Sequence, residues 1–127
     1  GFVRFSYPGI YMGQEIEDIS LEIKNGQVIK GTAAKGQELL NKILEVPGAR
    51  HFGEAAIGNN ERVNKFTKNM LFDEKMGGTI HMALGAAYPE TGGLNESAIH
   101  WDLLADMKDG EIIADGQTIY RNGKFVI

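Results

Sequence analysis

The chain has no cysteine, three prolines, one tryptophan and no uninterrupted apolar run approaching the ~18 residues a membrane helix needs. Lack of cysteine removes disulfides, thiolate metal sites and cysteine nucleophiles together. It also fits a reducing compartment, so the cytoplasm is the expected location. Basic residues do not predominate: 13 Lys+Arg stand against 17 Asp+Glu, a formal charge of -4. Without a basic footprint, nucleic acid is not an expected partner, and neither is a membrane. Several catalytic signatures are missing as well, since there is no HExxH, GxSxG, P-loop or GxGxxG. The opening residues carry neither a charged n-region nor an apolar h-region, so no signal peptide is expected.

What remains is ordinary globular material, 43% hydrophobic and 24% charged over 127 residues, enough for one domain with a sizeable core. Glycine is abundant at 17 residues, which predicts many turns and tight backbone approaches. The chain starts on Gly1 and drops directly into a strand-like Phe2-Val3-Arg4-Phe5, which suggests a piece of a longer protein.

Local patterns are mostly those of strands. Residues 2–7 read as a strand closed by Pro8-Gly9. Ile19, Leu21 and Ile23 alternate with polar neighbours, and Asn25-Gly26 is a hairpin signal because both positions of a type I′ turn need positive φ. Gln27-Val28-Ile29-Lys30 begins the returning strand. Leu39, Leu40, Ile43 and Leu44 form an amphipathic stripe, predicting a helix over 37–46 stopped by Pro47-Gly48. Residues 52–57 and 79–84 read as strands, 61–72 are ambiguous, and Gly77-Gly78 is a break. Over 98–104, Ile99, Trp101 and Leu103 share one face while His100 and Asp102 share the other. Asp115-Gly116 and Asn122-Gly123 mark two further turns. The sum is an α+β chain: a mixed, strand-rich sheet or barrel with one or two helices, in a single domain over 1–127.

Chemistry-bearing residues are few. On a strand, residues i and i+2 point the same way, so His100 and Asp102 converge, and imidazole with carboxylate suits Zn²⁺, Co²⁺ or Mn²⁺. A hydrogen-bonded surface pair has the same spacing. His81 lies between Ile80 and Met82, where a satisfied core histidine is the plainer reading. Glu54 stands among Gly53, Ala55 and Ala56, a costly place for a carboxylate unless it is paired, metal-bound or facing water. Together Glu54, His81, His100 and Asp102 could form a carboxylate-rich two-metal site. Ser97, His100 and Asp102 hold the letters of a triad without its geometry. Asn95-Glu96-Ser97 is a glycosylation acceptor only in a secreted protein. Arg62, Lys65 and Lys68 could line one side of a helix, a solvated face before a phosphate patch.

The segment Phe66-Thr67-Lys68-Asn69-Met70-Leu71-Phe72-Asp73-Glu74-Lys75, followed by GGTIHMALGAAYPETGGLNESAIHWD at 77–102, closely resembles the M29 family of metallo-aminopeptidases. The likeness runs from the RFSYPGIYMGQEIEDI opening to the DGQTIYRNGKF ending. It implies the metal-binding C-terminal domain of a longer enzyme, α+β around a mixed β-barrel. Matched by position, it implies that Glu54 bridges two metals, that His81, His100 and Asp102 are ligands, and that Tyr88, before Pro89-Glu90, is the active-site tyrosine. It also implies two divalent ions (Zn, Co, Mn or Mg), peptide substrates, and a homodimer in the parent enzyme. Family members supply a further glutamate from a GEVFT-like segment upstream of the opening strand, which nothing in residues 1–20 matches; Glu15 and Glu17 belong to the QEIEDI block. Four of five ligands are therefore expected in this chain, with at least one ion bound weakly. The competing expectations are a non-catalytic fragment and a mononuclear metal-binding β-barrel domain of other function.

Overall fold

The computed structural model describes all 127 residues. A first layer consists of β1 (Phe2–Phe5), β4 (Ile19–Lys24) and β5 (Gln27–Thr32), ordered β1-β4-β5. The Asn25-Gly26 turn joins β4 to β5, with φ of 51° and 76°, as the dipeptide predicts. Between β1 and β4 lies a small hairpin, β2 (Gly9–Tyr11) with β3 (Gln14–Ile16). Its turn is Met12-Gly13, with φ of 48° and 75°. Methionine seldom adopts positive φ, so this turn carries no sequence signal.

α1 (Gln37–Glu45) begins without a side-chain N-cap at Gly36. Instead, Gln37 ties its entry to the preceding strand: Oε1 accepts from Ala33 N at 2.7 Å and Nε2 donates to Gly31 O at 3.0 Å. Pro47 follows the last turn, and Leu40, Ile43 and Leu44 are buried against the first layer.

The second layer is β6 (Phe52–Gly58), β7 (Thr79–Gly85) and β8 (His100–Asp106), in that order, with β7 central. Leu84, Trp101, Leu103 and Ala105 from this layer join Phe5, Ile16, Ile19, Leu21, Val28 and the α1 residues in one core. Trp101 Nε1 donates to Ile10 O at 2.9 Å. Gly9 makes room for its ring, since a Cβ there would stand 2.6 Å from it. A peripheral meander, β9 (Glu111–Ala114), β10 (Gln117–Arg121) and β11 (Lys124–Phe125), turns at Asp115-Gly116 and Asn122-Gly123.

The strand-rich α+β class is as the sequence indicates, with two helices. Within it every strand pair is antiparallel rather than mixed, because each neighbour is reached by a hairpin or by a loop that reverses direction. Residues 61–69 form no helix, so Arg62, Lys65 and Lys68 share no helical face. The only helix near them is α2 (Met70–Asp73), whose Asn69 cap accepts from Leu71 N.

Candidate metal centre

Register explains how residues 27 to 48 positions apart meet. Glu54 of β6 and Asp102 of β8 both lie opposite Ala83 of β7, so all three side chains share one face in one row across the sheet. His81 and His100 sit two residues from Ala83 and Asp102 along their strands, so they fall on that same face. The middle of the row is only a methyl group, and Gly85 lies opposite His100, which leaves space between the polar groups. The reverse face of β7 and β8 carries Leu84, Trp101 and Leu103 into the core. Period-2 alternation thus separates a packing face from a chemical face.

Glu54 spans the two imidazoles. Its Oε1 is 3.3 Å from His81 Nε2 and its Oε2 is 3.1 Å from His100 Nε2. His100 Nε2 is 3.6 Å from Asp102 Oδ2. On the far side of the His100 ring, Nδ1 is 2.7 Å from the Ala86 carbonyl and must donate to it. A neutral His100 therefore aims the lone pair of Nε2 at a carboxylate oxygen. Two acceptors that close repel unless a cation or proton lies between them.

His81 and Asp102 are buried, at 6% and 8% exposure, and each leaves an atom without a partner: Nδ1 of His81 and Oδ1 of Asp102. Burial raises the Asp102 carboxyl above its ordinary range; His100 and His81 oppose that shift, and Glu54 and Glu74 reinforce it. A buried, under-satisfied carboxylate among imidazoles is a donor set that suits a divalent ion.

Tyr88 leaves the end of β7 three residues after Gly85, and its ring packs 4.9 Å from the His100 ring, centroid to centroid. The residue is half exposed, but partial desolvation raises the pKa of its hydroxyl, with Glu54 and Asp102 adding to the effect, so it keeps its proton at neutral pH. All five residues singled out in the sequence, Glu54, His81, Tyr88, His100 and Asp102, thus lie together.

One residue was missed. Glu74, immediately after α2, forms a second group with His81 and Asp102 in which the potential ligand atoms lie within 4.8 Å of one another, beside the group of Glu54, His100 and Asp102. Lys75 Nζ also donates to Glu74 Oε1 at 2.6 Å. No periodicity points to Glu74. Its placement comes from Asp73, fully buried, whose Oδ1 accepts from Thr67 N at 2.8 Å and Thr67 Oγ1 at 2.7 Å. The available signal was an Asp73-Glu74 acidic pair inside the segment already matched to the family.

Comparison with known proteins identifies the chain's relatives. The family model described as thermophilic metalloprotease (M29) matches residues 1–125. "Aminopeptidase 2" of Geobacillus stearothermophilus is 34% identical over 98% of this chain, and aminopeptidase AmpS of Bacillus subtilis (strain 168) is 33% identical over 98%. Wild-type AmpT from Thermus thermophilus superimposes over 100% of the chain with a TM-score of 0.85 at 28% identity. In each case the chain spans 36% of the relative's length. With nearly every residue matched by the family model, the chain belongs to the M29 family of thermophilic metalloproteases.

Proposed function

We propose that this chain is the metal-carrying domain of an aminopeptidase, corresponding to the C-terminal domain of the longer relatives, and that it serves hydrolysis of the N-terminal peptide bond with two divalent ions. The observation that carries this reading is Glu54, with one carboxylate oxygen towards each imidazole on a floor of small residues. Glu54, His100 and Asp102 would hold one ion, and Glu74, His81 and Asp102 the other, with Glu54 reaching both. Glu74 would then be a fifth potential ligand from within the chain, beyond the four expected from the sequence. When bound, a pair of Zn²⁺, Co²⁺, Mn²⁺ or Mg²⁺ ions would polarise the scissile carbonyl and make a water molecule acidic near neutral pH.

The chain's own groups supply orientation and hydrogen bonding. Tyr88, protonated at neutral pH, donates a hydrogen bond from its hydroxyl to the carbonyl oxygen as negative charge develops there and keeps its proton. Its ring against His100 fixes how far that hydroxyl can stray from the ligand cluster. Loss of one such donor costs on the order of 3 kcal/mol of transition-state stabilisation in other enzymes, which sets the scale expected for Tyr88→Phe. The peptide substrate, the cytoplasmic location and a homodimeric parent belong to this same reading.

Calorimetric titration with Zn²⁺ and Co²⁺ tests it. Two ions per chain, both weakened by Glu54→Ala, is the expected result, together with Leu-p-nitroanilide hydrolysis by the longer protein that is abolished by Glu54→Ala and His81→Ala. A single ion indifferent to Glu54→Ala overturns it in favour of a mononuclear domain. Wild-type turnover in both variants overturns the site assignment.

A further inference from the structure

We propose that Asn95 is a positioning residue for this centre: it holds the bend at Gly85, Ala86 and Ala87, whose Ala86 carbonyl sets the tautomer and aim of His100 and whose end carries Tyr88. The inference rests on the proposed metal-centre reading and deepens it.

Asn95 lies outside every strand and helix and is half-buried. Its side-chain amide makes two long-range bonds, to Gly48 O at 2.9 Å and to Gly85 O at 2.7 Å. Its main-chain carbonyl accepts from Ala87 N at 2.9 Å. Asn95 therefore grips the bend on both sides of Ala86. Ile99 O accepts from Ala86 N at 2.7 Å and His51 O accepts from Gly85 N at 2.8 Å, so the peptide units around the bend are pinned. From that bend the Ala86 carbonyl takes the His100 Nδ1 proton at 2.7 Å, behind the ring as seen from the metal centre.

The backbone is shaped for this contact. Gly85 has φ of 106°, and a Cβ on it would stand 2.1 Å from Ile99 O. A Cβ on Gly53 would stand 2.1 Å from Ala86 O itself. Gly53 thus clears the path of the Ala86 carbonyl, Gly85 that of the Ile99 carbonyl which holds Ala86 N, and Asn95 fixes the direction of the bend between them. Only an amide offers two N–H donors to two carbonyls at this size. Aspartate would set two acceptors against two acceptors, and alanine would free the bend to rotate. An outer-shell acceptor that fixes a ligand histidine's proton on Nδ1 leaves Nε2 as the metal-facing lone pair.

The test begins without metal. Long-range ¹⁵N–¹H spectra of the neutral imidazoles are expected to place the His100 proton on Nδ1 in the wild-type chain, and to show mixed tautomers in Asn95→Ala with His81 unchanged. Ser97→Ala is the control. It removes two neighbouring bonds of the same loop, Ser97 Oγ to Pro47 O at 2.7 Å and Ile99 N to Ser97 Oγ at 3.4 Å, but none made by residues 85–87, and should keep the wild-type His100 spectrum. Gly53→Ala pushes the same carbonyl from the opposite side and should reproduce the mixed tautomer should Asn95→Ala fail to fold. Zn²⁺ affinity should fall about tenfold or more in Asn95→Ala and stay within about twofold in Ser97→Ala. A wild-type His100 spectrum in either disrupting variant overturns the proposal. So does an equal loss in Ser97→Ala, which would reduce Asn95 to loop stability. Mixed tautomers with unchanged Zn²⁺ affinity would uphold the positioning of His100 and overturn its role as a ligand.

Discussion

α1 buries Leu40, Ile43 and Leu44 at 4% exposure or less, whereas α2, four residues long, turns Leu71 and Phe72 outward at 71% and 57% and buries Asp73 instead. The first helix is held by area: each buried aliphatic side chain contributes roughly 1.5–3 kcal/mol, without much demand on direction. The second is too short to be stable as a helix. Directed bonds hold it, namely the Asn69 cap, the two bonds from Thr67 to Asp73, and Lys75 Nζ to Leu71 O. Hydrophobic burial builds the platform, and hydrogen bonds aim the part that brings Glu74 to the metal centre. The two kinds of support should fail in different ways.

The largest difference is expected on truncating the apolar side. Leu40→Ala should lose about 2–5 kcal/mol of global stability by denaturant unfolding, while Leu71→Ala should stay within about 0.5 kcal/mol. Comparable losses at the two positions would mean that the outer face of α2 is covered in solution, and the contrast would collapse.

Next in size is the polar side. Asp73→Ala leaves the Thr67 amide and hydroxyl without their acceptor, a penalty of about 1–3 kcal/mol. The loss should be local: amide exchange at residues 67–74 should quicken far more than exchange in α1 or β4. Divalent-ion binding should weaken in parallel, because Glu74 is then poorly placed. Uniform quickening throughout the chain would show that α2 belongs to the same cooperative unit as the core.

Glu74→Gln separates the ligand from its support. It keeps the fold of residues 67–74 and should weaken one of two bound ions about tenfold or more while sparing the other. Lys75→Met should act in the opposite direction, tightening that ion, since it frees Glu74 Oε1 from the Lys75 ammonium 2.6 Å away, a gain set against the loss of the Lys75 bond to Leu71 O. Calorimetry reads both changes. Glu74→Gln with unaltered binding of both ions would remove Glu74 from the ligand set.

The same contrast explains what could be read from the sequence. α1, the Asn25-Gly26 hairpin and β6 to β8 were legible because periodicity and turn chemistry report burial on a face. His100 and Asp102 were legible because a spacing of two on a strand fixes a shared face. Glu54 and His81 entered by residue type and family likeness, and the register that brings them opposite Ala83 and Ala56 respectively is a tertiary fact that no local pattern encodes. The Met12-Gly13 hairpin, α2 and Glu74 were not legible, since a methionine at positive φ, a one-turn helix with its apolar side outward and a buried aspartate each run against the average behaviour of their residue types.

The smallest effect concerns the tether that ends the loop before α2, the ion pair of Lys68 with Glu15 of β3. Lys68 itself sits at φ 65°, so the pair holds a backbone conformation that the residue does not favour. The hydrogen bond from Lys68, the largest contributor, holds the Glu15 carboxyl below its ordinary value of 4.5. A group with a lowered folded pKa adds stability that is present above the ordinary value and lost as pH falls through the lowered one. Protection of residues 67–69 against amide exchange, corrected for intrinsic rates, should therefore decline slightly below pH 4.5 in the wild type and not in Glu15→Gln. Lying at the solvent boundary, the pair should also weaken with added salt. α1 offers the reference: its protection rests on apolar contacts and should follow neither pH nor salt over the same range. If α1 tracks the loop, the loss is global acid destabilisation and not release of this tether.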